Sequence, residues 1–287
     1  MTILPDAGTL QKTLFSALPD FSSIAWVEQI DSTNTFLMQE ARNPQSQWGR
    51  PALIGAHHQQ KGKGRGGRKW VDNAGATLMF SCAYDVFLPP AQLPMLAPVA
   101  GIVACEQLRK MVGPAAQDRL TMKWPNDIQF DDGKLSGLLV ESVKPGNGRV
   151  NDRHHVVVVG MGMNLSQAEA LSQDLGRKVA DWTSVLISLN RQDQQAEHIG
   201  LLVARIARAW SEAFALYEQE GFAPFRQRHE NLDALKSCEI NVLSGDKIVL
   251  TGTAKGLNDQ ACLVVENGQG QHLVTNGDIS IRARANT

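Results

Sequence analysis

Gln59-Gln60-Lys61-Gly62-Lys63-Gly64-Arg65-Gly66-Gly67-Arg68-Lys69-Trp70 is the stretch on which the reading of this chain turns. Four glycines within Gly62–Gly67 free the backbone for positive φ and let its N–H groups approach a ligand closely, while five Lys or Arg side chains crowd around them. Together they describe a pocket for anionic oxygens. Gly62, Gly64 and Gly67 also satisfy G-x-G-x-x-G, with Asp85 roughly 20 residues on as the dinucleotide fingerprint requires. In that fingerprint the glycines open a helix. Here Arg68 to Gly75 leads directly into a strand-like run, with no room for a crossover helix. A basic surface loop is the plain alternative, and the motifs farther along the chain weigh against it.

The loop joins two strands. Pro51 to Gln60, carrying Leu53, Ile54 and Ala56, enters it, and Thr77 to Val86 leaves it. Upstream, Leu10, Leu14 and Leu18 place a short amphipathic helix over Ala7–Leu18, ended by Pro19, and a first strand runs over Ile24–Val27. That leaves too little chain ahead of the first strand for a DNA-reading helix-turn-helix. Asp31-Ser32-Thr33-Asn34 precedes a helical spacing of Phe36, Leu37 and Ala41, so Ser32 or Thr33 is an N-cap. The same hydroxyls at a helix N-terminus can present polar contacts to a ligand head, provided the glycine loop lies nearby.

Downstream, Leu93–Val112 reads as an amphipathic helix on the sheet, with Gly113 as its C-cap. Leu120–Ile128 reads as a strand carrying Lys123-Trp124-Pro125-Asn126-Asp127. Asp132-Gly133 turns it into Lys134–Val143, and Pro145–Gly148 turns that into His155–Gly160, a three-stranded antiparallel meander ending in Gly160-Met161-Gly162-Met163-Asn164. Gly137 sits in mid-strand, where glycine weakens a sheet unless something approaches the backbone or the strand bulges, and Gly160 and Gly162 pose the same choice. From Leu165 to about Leu235 the pattern is helical, with Leu202, Ile206, Ala209, Trp210, Ala213, Phe214 and Tyr217 as one core-facing side. Five short runs follow, Glu239–Leu243, Lys247–Ala254, Ala261–Glu266, His272–Val274 and Ile279–Ile281, which suit a small β-barrel. The expected architecture is α/β of the α+β type. A mixed, largely antiparallel sheet packed with helices fills a domain over 1–236, and a barrel domain covers 237–287.

Composition narrows the partners. In 287 residues with 43% hydrophobic content, a formal charge of -1 makes the basic cluster a local device on a neutral body, not the footprint of a nucleic-acid binder. Cys82, Cys105, Cys238 and Cys262 show neither zinc-ligand nor disulfide spacing. No apolar run reaches the roughly 18 residues of a membrane span and the start is not a leader, so the expectation is a cytoplasmic protein without a membrane segment.

Ser32-Thr33-Asn34, Gln59 with Gly62 through Trp70, Lys123-Trp124-Pro125-Asn126-Asp127, Lys134-Leu135-Ser136-Gly137 and Gly160-Met161-Gly162-Met163-Asn164, in this order, resemble the bacterial biotin protein ligases. The motifs span about 24–190, and the C-terminal runs match that family's SH3-like cap. The resemblance implies that biotin and MgATP give biotinyl-5′-AMP and pyrophosphate, after which a lysine of a biotin carboxyl carrier protein displaces AMP. It implies further that Ser32, Thr33, Asn34, Gln59 and Gly137 line the biotin site, and that Lys63, Gly64 and Arg65 hold the biotin carboxylate and α-phosphate. Lys134 would bridge the same oxygens, and Lys134 and Arg65 would be the catalytic pair. Arg68 would reach the pyrophosphate, Trp70 would cover the adenine, and Asn126 and Asn164 would orient the nucleotide and its Mg²⁺; no metal ligand is assigned. Lys63 stands where Arg is usual and Gly66 where a bulkier residue often stands, which implies weaker adenylate retention and a more mobile free loop. A lipoate- or octanoate-type ligase and a non-catalytic biotin binder remain alternatives. A homodimer, or carrier docking, through an exposed meander strand is a further expectation.

Overall fold

The computed structural model describes residues 4–68, 70, 75–191, 199–275 and 279–283. Lys69 of the basic loop and residues 192–198 of the expected helical region lie outside these. Helix α1 (Ala7–Ala17) starts at an Asp6 cap that accepts from the Thr9 N–H at 2.9 Å. Strand β1 (Ser23–Ile30) leads to α2 (Thr33–Arg42), capped by Ser32, whose Oγ accepts from the Thr35 N–H at 3.4 Å. Strands β2 (Ala52–Gln59) and β3 (Thr77–Phe87) flank the glycine loop as the sequence predicts. Then come α3 (Leu96–Val112), β4 (Leu120–Lys123), β5 (Asp127–Phe130), β6 (Gly133–Val143) and β7 (His154–Asn164). The seven strands form one sheet in the order β1-β2-β3-β7-β6-β5-β4, with only β1 and β2 parallel.

The expected single strand Leu120–Ile128 is instead a hairpin of β4 and β5, closing with Lys123 opposite Asp127 around Trp124, Pro125 and Asn126. Pro125 has no N–H to give a ladder, so the turn falls there. The terminal strand β4 is covered by the backbone of 232–234, with the Met122 N–H donating to Leu232 O at 2.7 Å, whereas β6 pairs with β5 only over Gly133–Gly137 and has no strand on that side from Leu138 to Val143 among the described residues.

The sheet buries different things on its two faces. Alternation along β3 and β7 turns Leu78, Phe80, Cys82, Val157, Val159 and Met161 into a large core with α3 and α6 (Ile199–Glu220). The opposite face holds a smaller cluster of Ala52, Ile54, Ala83, Val156 and Val158 under Leu37 and Met38 of α2. Helix α3 lies between the sheet and α6, so every residue from Leu96 to Cys105 is buried, and the expected amphipathic pattern holds only in its last turns, where Leu108 and Val112 are buried and Arg109 and Lys110 are not. By length and composition Pro90–Val112 could cross a membrane, but its Leu96–Cys105 part is buried core.

Helices α4 (Ala168–Leu175), α5 (Trp182–Ile187) and α7 (Ala223–Glu230) complete the larger unit. The five C-terminal runs all form strands: β8 (Glu239–Ser244), β9 (Lys247–Leu257), β10 (Leu263–Asn267), β11 (Gly270–Val274) and β12 (Ile279–Ala283). They make an antiparallel sheet ordered β11-β10-β9-β8-β12. It is fastened to the β4–β5 turn, where the buried Trp124 indole N–H donates to Ala261 O at 3.0 Å.

Candidate active site

On the α2 face of the sheet, β7 reads Val156, Val158, Gly160, Gly162, Asn164, and β3 changes from Ala83 to Ser81. The apolar cluster therefore gives way, along the same face, to small and polar residues. Over that end lies a cavity of about 820 Å³, at the upper end of the roughly 300–1,000 Å³ typical of small-molecule sites. Ser32, Thr33, Asn34, Gln59, Lys63 and Gly64 line it, as do Arg65, Arg68, Trp70, Asn126, Lys134 and Gly137. The structure thus brings together every residue nominated from sequence except Asn164, which lines a small adjoining cavity with Trp70, Lys134, Leu171 and Arg177.

The two ends of the cavity differ. At the α2 end, Gln59 Oε1 accepts from the Thr33 N–H at 2.8 Å, and Ser81 Oγ lies 2.7 Å from Thr33 Oγ1 and 2.6 Å from Asn34 Oδ1. These side chains are buried and neutral. At the other end stand the cations Lys63, Arg65, Arg68, Lys123, Lys134, Arg177 and Arg282, against one acid, Asp127, among the described lining residues. Lys134 Nζ contacts Asp127 Oδ1 at 2.6 Å and sits 5.6 Å from the centre of the Trp70 ring. Burial lowers the Lys123 pKa; Asp127 opposes the shift, and neighbouring Lys134, Arg177 and Arg282 reinforce it.

The glycine loop is a tight turn. Gly66 and Gly67 have φ of 61° and 71°, a pair of left-handed residues that side chains would strain, and this is a conformational reason for Gly66. Gly64 N–H donates to Arg68 O at 2.7 Å, and Trp70 N–H to Gly62 O at 3.0 Å, so the loop closes on itself. Arg65 is directed inward by its bond to Asn126 Oδ1 at 3.1 Å, while the Asn126 amide donates to Leu138 O. Asn164 ties its amide to Lys134 O (3.2 Å) and Ala180 O (3.1 Å), holding the backbone beneath the lysine.

The mid-strand glycines make room for side chains of the protein itself. A Cβ on Gly160 would overlap the Asn34 amide, and one on Gly162 would come within 2.5 Å of the Trp70 indole. At Gly137 the neighbours would be Lys134 Nζ at 3.0 Å and Trp70 at 3.1 Å. β6 also bulges beside it, since Ile128 pairs with Ser136 but Gln129 with Lys134. Gly162→Ala is therefore expected to push Trp70 off the sheet and lower turnover about tenfold or more, since displacements of an ångström carry such costs. Steady-state kinetics with the melting temperature as control checks this.

Sequence reasoning missed Ser81, Lys123, Arg177 and Arg282. Ser81 lies between Phe80 and Cys82 in the apolar middle of β3, and Arg282 belongs to the barrel, whose strand β12 reaches the cavity only through tertiary packing. Among these Lys123 alone had a cue, its place in the Lys-Trp-Pro-Asn-Asp run.

A cavity with a neutral hydrogen-bonding end and a cationic end, built on a mixed sheet beside a glycine-rich loop, suits joining an acid to a nucleotide. Residues 26–164 match the Biotin/lipoate A/B protein ligase family, and residues 239–282 match the Biotin protein ligase C terminal domain. The Escherichia coli bifunctional ligase/repressor BirA is 33% identical over 92% of this chain and 75% of its own length. The biotin–[acetyl-CoA-carboxylase] ligase of Paracoccus denitrificans is 31% identical over 79% of this chain and 89% of its own. The fold is also that of the Aquifex aeolicus biotin protein ligase in complex with biotin and ATP, at a TM-score of 0.70 and 23% identity over 92% of this chain and all of that one. The chain belongs to the biotin protein ligase family.

Proposed function

We propose that this chain activates biotin with ATP to biotinyl-5′-AMP and transfers the biotinyl group to a lysine of a carrier domain of a biotin-dependent carboxylase. One observation carries the reading: a single cavity places neutral amide and hydroxyl groups at one end and seven cations at the other, with Lys134 beside both the loop and Gly137. Ser32, Thr33, Asn34 and Gln59 would hold the uncharged ring head. Lys63, Gly64, Arg65 and Lys134 would gather the carboxylate and the α-phosphate, two anions that repel one another in water. In the first step a carboxylate oxygen attacks the α-phosphorus and pyrophosphate leaves; fixed cations meet the charge as it moves. In the second, the acceptor amine attacks the acyl carbon and AMP leaves. Arg68 and Trp70 belong to the nucleotide side.

The donor set fits a Mg²⁺ that arrives with the ATP phosphates. Among the described residues no three His, Cys, Asp or Glu side chains cluster, and Mg²⁺ commonly takes one or two protein oxygens besides phosphate. Asp127, the one acid among the described lining residues, would hold it, and bound there it would offset phosphate charge. The reading divides the chain into a catalytic unit over 1–236 and the barrel over 237–287, acting in the cytoplasm, where ATP is available. A homodimer would pair the open side of β6 beyond Gly137 with its copy.

Exchange of labelled pyrophosphate into ATP tests this. Exchange is expected with biotin and Mg²⁺ and not with lipoate. Exchange with lipoate alone, or none despite measurable biotin binding, would replace the proposal by an acyl ligase or a biotin-binding protein respectively.

A further inference from the structure

The cavity's neutral end is a chain of hydrogen bonds whose direction can be deduced. Asn34 Nδ2 lies 3.0 Å from Glu141 Oε2 and 3.3 Å from Leu139 O. A carboxylate and a carbonyl only accept, so both amide hydrogens point to β6 and Oδ1 points to Ser81. Ser81 Oγ, at 2.6 Å from that Oδ1, must donate to it. With its single proton used, Ser81 cannot donate to Thr33 Oγ1, 2.7 Å away, so the threonine's proton goes to Ser81 or to Gln59 Oε1 at 3.2 Å, and in either case both hydroxyls spend their protons on the protein and keep lone pairs free. Thr33 and Ser81 are buried, so this order is not scrambled by solvent.

We propose that Glu141 is a positioning residue that sets the polarity of this chain, so that the hydroxyls of Thr33 and Ser81 present acceptor lone pairs to the cavity and select a ligand head carrying N–H donors. The inference rests on the biotin reading and deepens it: the N–H groups are those of a cyclic urea. Glu141 itself is half-buried on β6, is not among the described residues lining this cavity, and acts through Asn34. Leu139 O makes the longer contact to the same amide, so the carboxylate is the stronger of the two restraints. Gly160 is part of the device, since any Cβ there would overlap Asn34 and turn its amide.

Calorimetric titration of biotin into wild type, Glu141→Gln and Glu141→Leu tests the proposal. Leucine removes the acceptor and is expected to raise the biotin Kd about tenfold, the weight of one hydrogen bond to a charged group. Glutamine can turn its own oxygen to Asn34 and is expected to stay within about twofold of wild type. The KM for ATP and the melting temperature should not move with the biotin affinity. Biotin methylated on a ureido nitrogen, which lacks one donor, should be rejected by wild type and less so by the leucine variant. Wild-type affinity and selectivity in Glu141→Leu would overturn the proposal, as would equal losses in the glutamine and leucine variants. No binding of biotin to the wild type would overturn the functional reading itself, and it is seen before any variant is compared.

Discussion

Lys134→Ala is expected to lower biotin-dependent pyrophosphate exchange by a hundred- to a thousandfold, while the biotin Kd rises by far less. The magnitude is that of removing one preorganised donor from a site of developing charge. The split follows from geometry. Lys134 contributes nothing to the neutral α2 end, where Thr33, Gln59, Ser81 and Asn34 bond to one another. Its ammonium is instead held by Asp127 at 2.6 Å, over the Trp70 ring, with Gly137 leaving room beside it. Exposed ion pairs are weak, but this lysine side chain is only 18% exposed, so its position is better defined than a surface lysine's. Lys134→Arg should restore little, because a planar fork cannot occupy the space between Gly137 and Trp70 that a single Nζ fills. Equal loss of binding and of exchange in Lys134→Ala would mean that the lysine serves ground-state binding, not the chemical step.

How much of this was legible before the coordinates depends on range. The glycine loop between two strands could be read because it is local: hydrophobic runs stop at Gln59 and resume at Thr77, and the intervening residues are those that bind anions. The five C-terminal strands were likewise marked by turns between short apolar runs. The β4–β5 hairpin was obscured because Trp124 and Asn126 flank the proline in a run of apparent strand, although Pro125 itself was the evidence against a continuous ladder. Neither residue type nor spacing says that Gly162 faces an indole 92 positions earlier, or that Asn34 fills the space above Gly160. Such contacts cross from loop or helix to sheet, and the glycines alone left both bulge and ligand approach open. Glu141 was invisible for the same reason. A carboxylate late in a strand, bonded to an amide 107 residues away, has no local mark.

A second large effect concerns acid stability and a residue outside the cavity. His229 of α7 is fully buried, and neither ring nitrogen has a hydrogen-bond partner among the described residues. Burial pushes its pKa down to about 4, and neighbouring Glu230 only partly opposes the shift. In the unfolded chain the group titrates near 6.5. Between these values the unfolded chain binds more protons than the folded one, so stability is complete above about pH 6.5 and is lost as pH falls toward 4. The loss attributable to this residue is about 3 kcal/mol across the window. His229→Leu should abolish that part of the slope; at neutral pH it should cost little, because it replaces an unsatisfied polar ring with an apolar group. Denaturant midpoints at pH 7.5 and pH 4.5 for both proteins measure it, and parallel slopes would show that the acid lability lies elsewhere. The effect also bears on the cavity. His229 O accepts from the Leu232 N–H, and residues 232–234 pair with Met122 of β4, one position before Lys123. Protonation that loosens α7 would therefore loosen the hairpin that carries Trp124, Asn126 and Asp127, so exchange activity in wild type should fall between pH 6.5 and 4 more steeply than in His229→Leu.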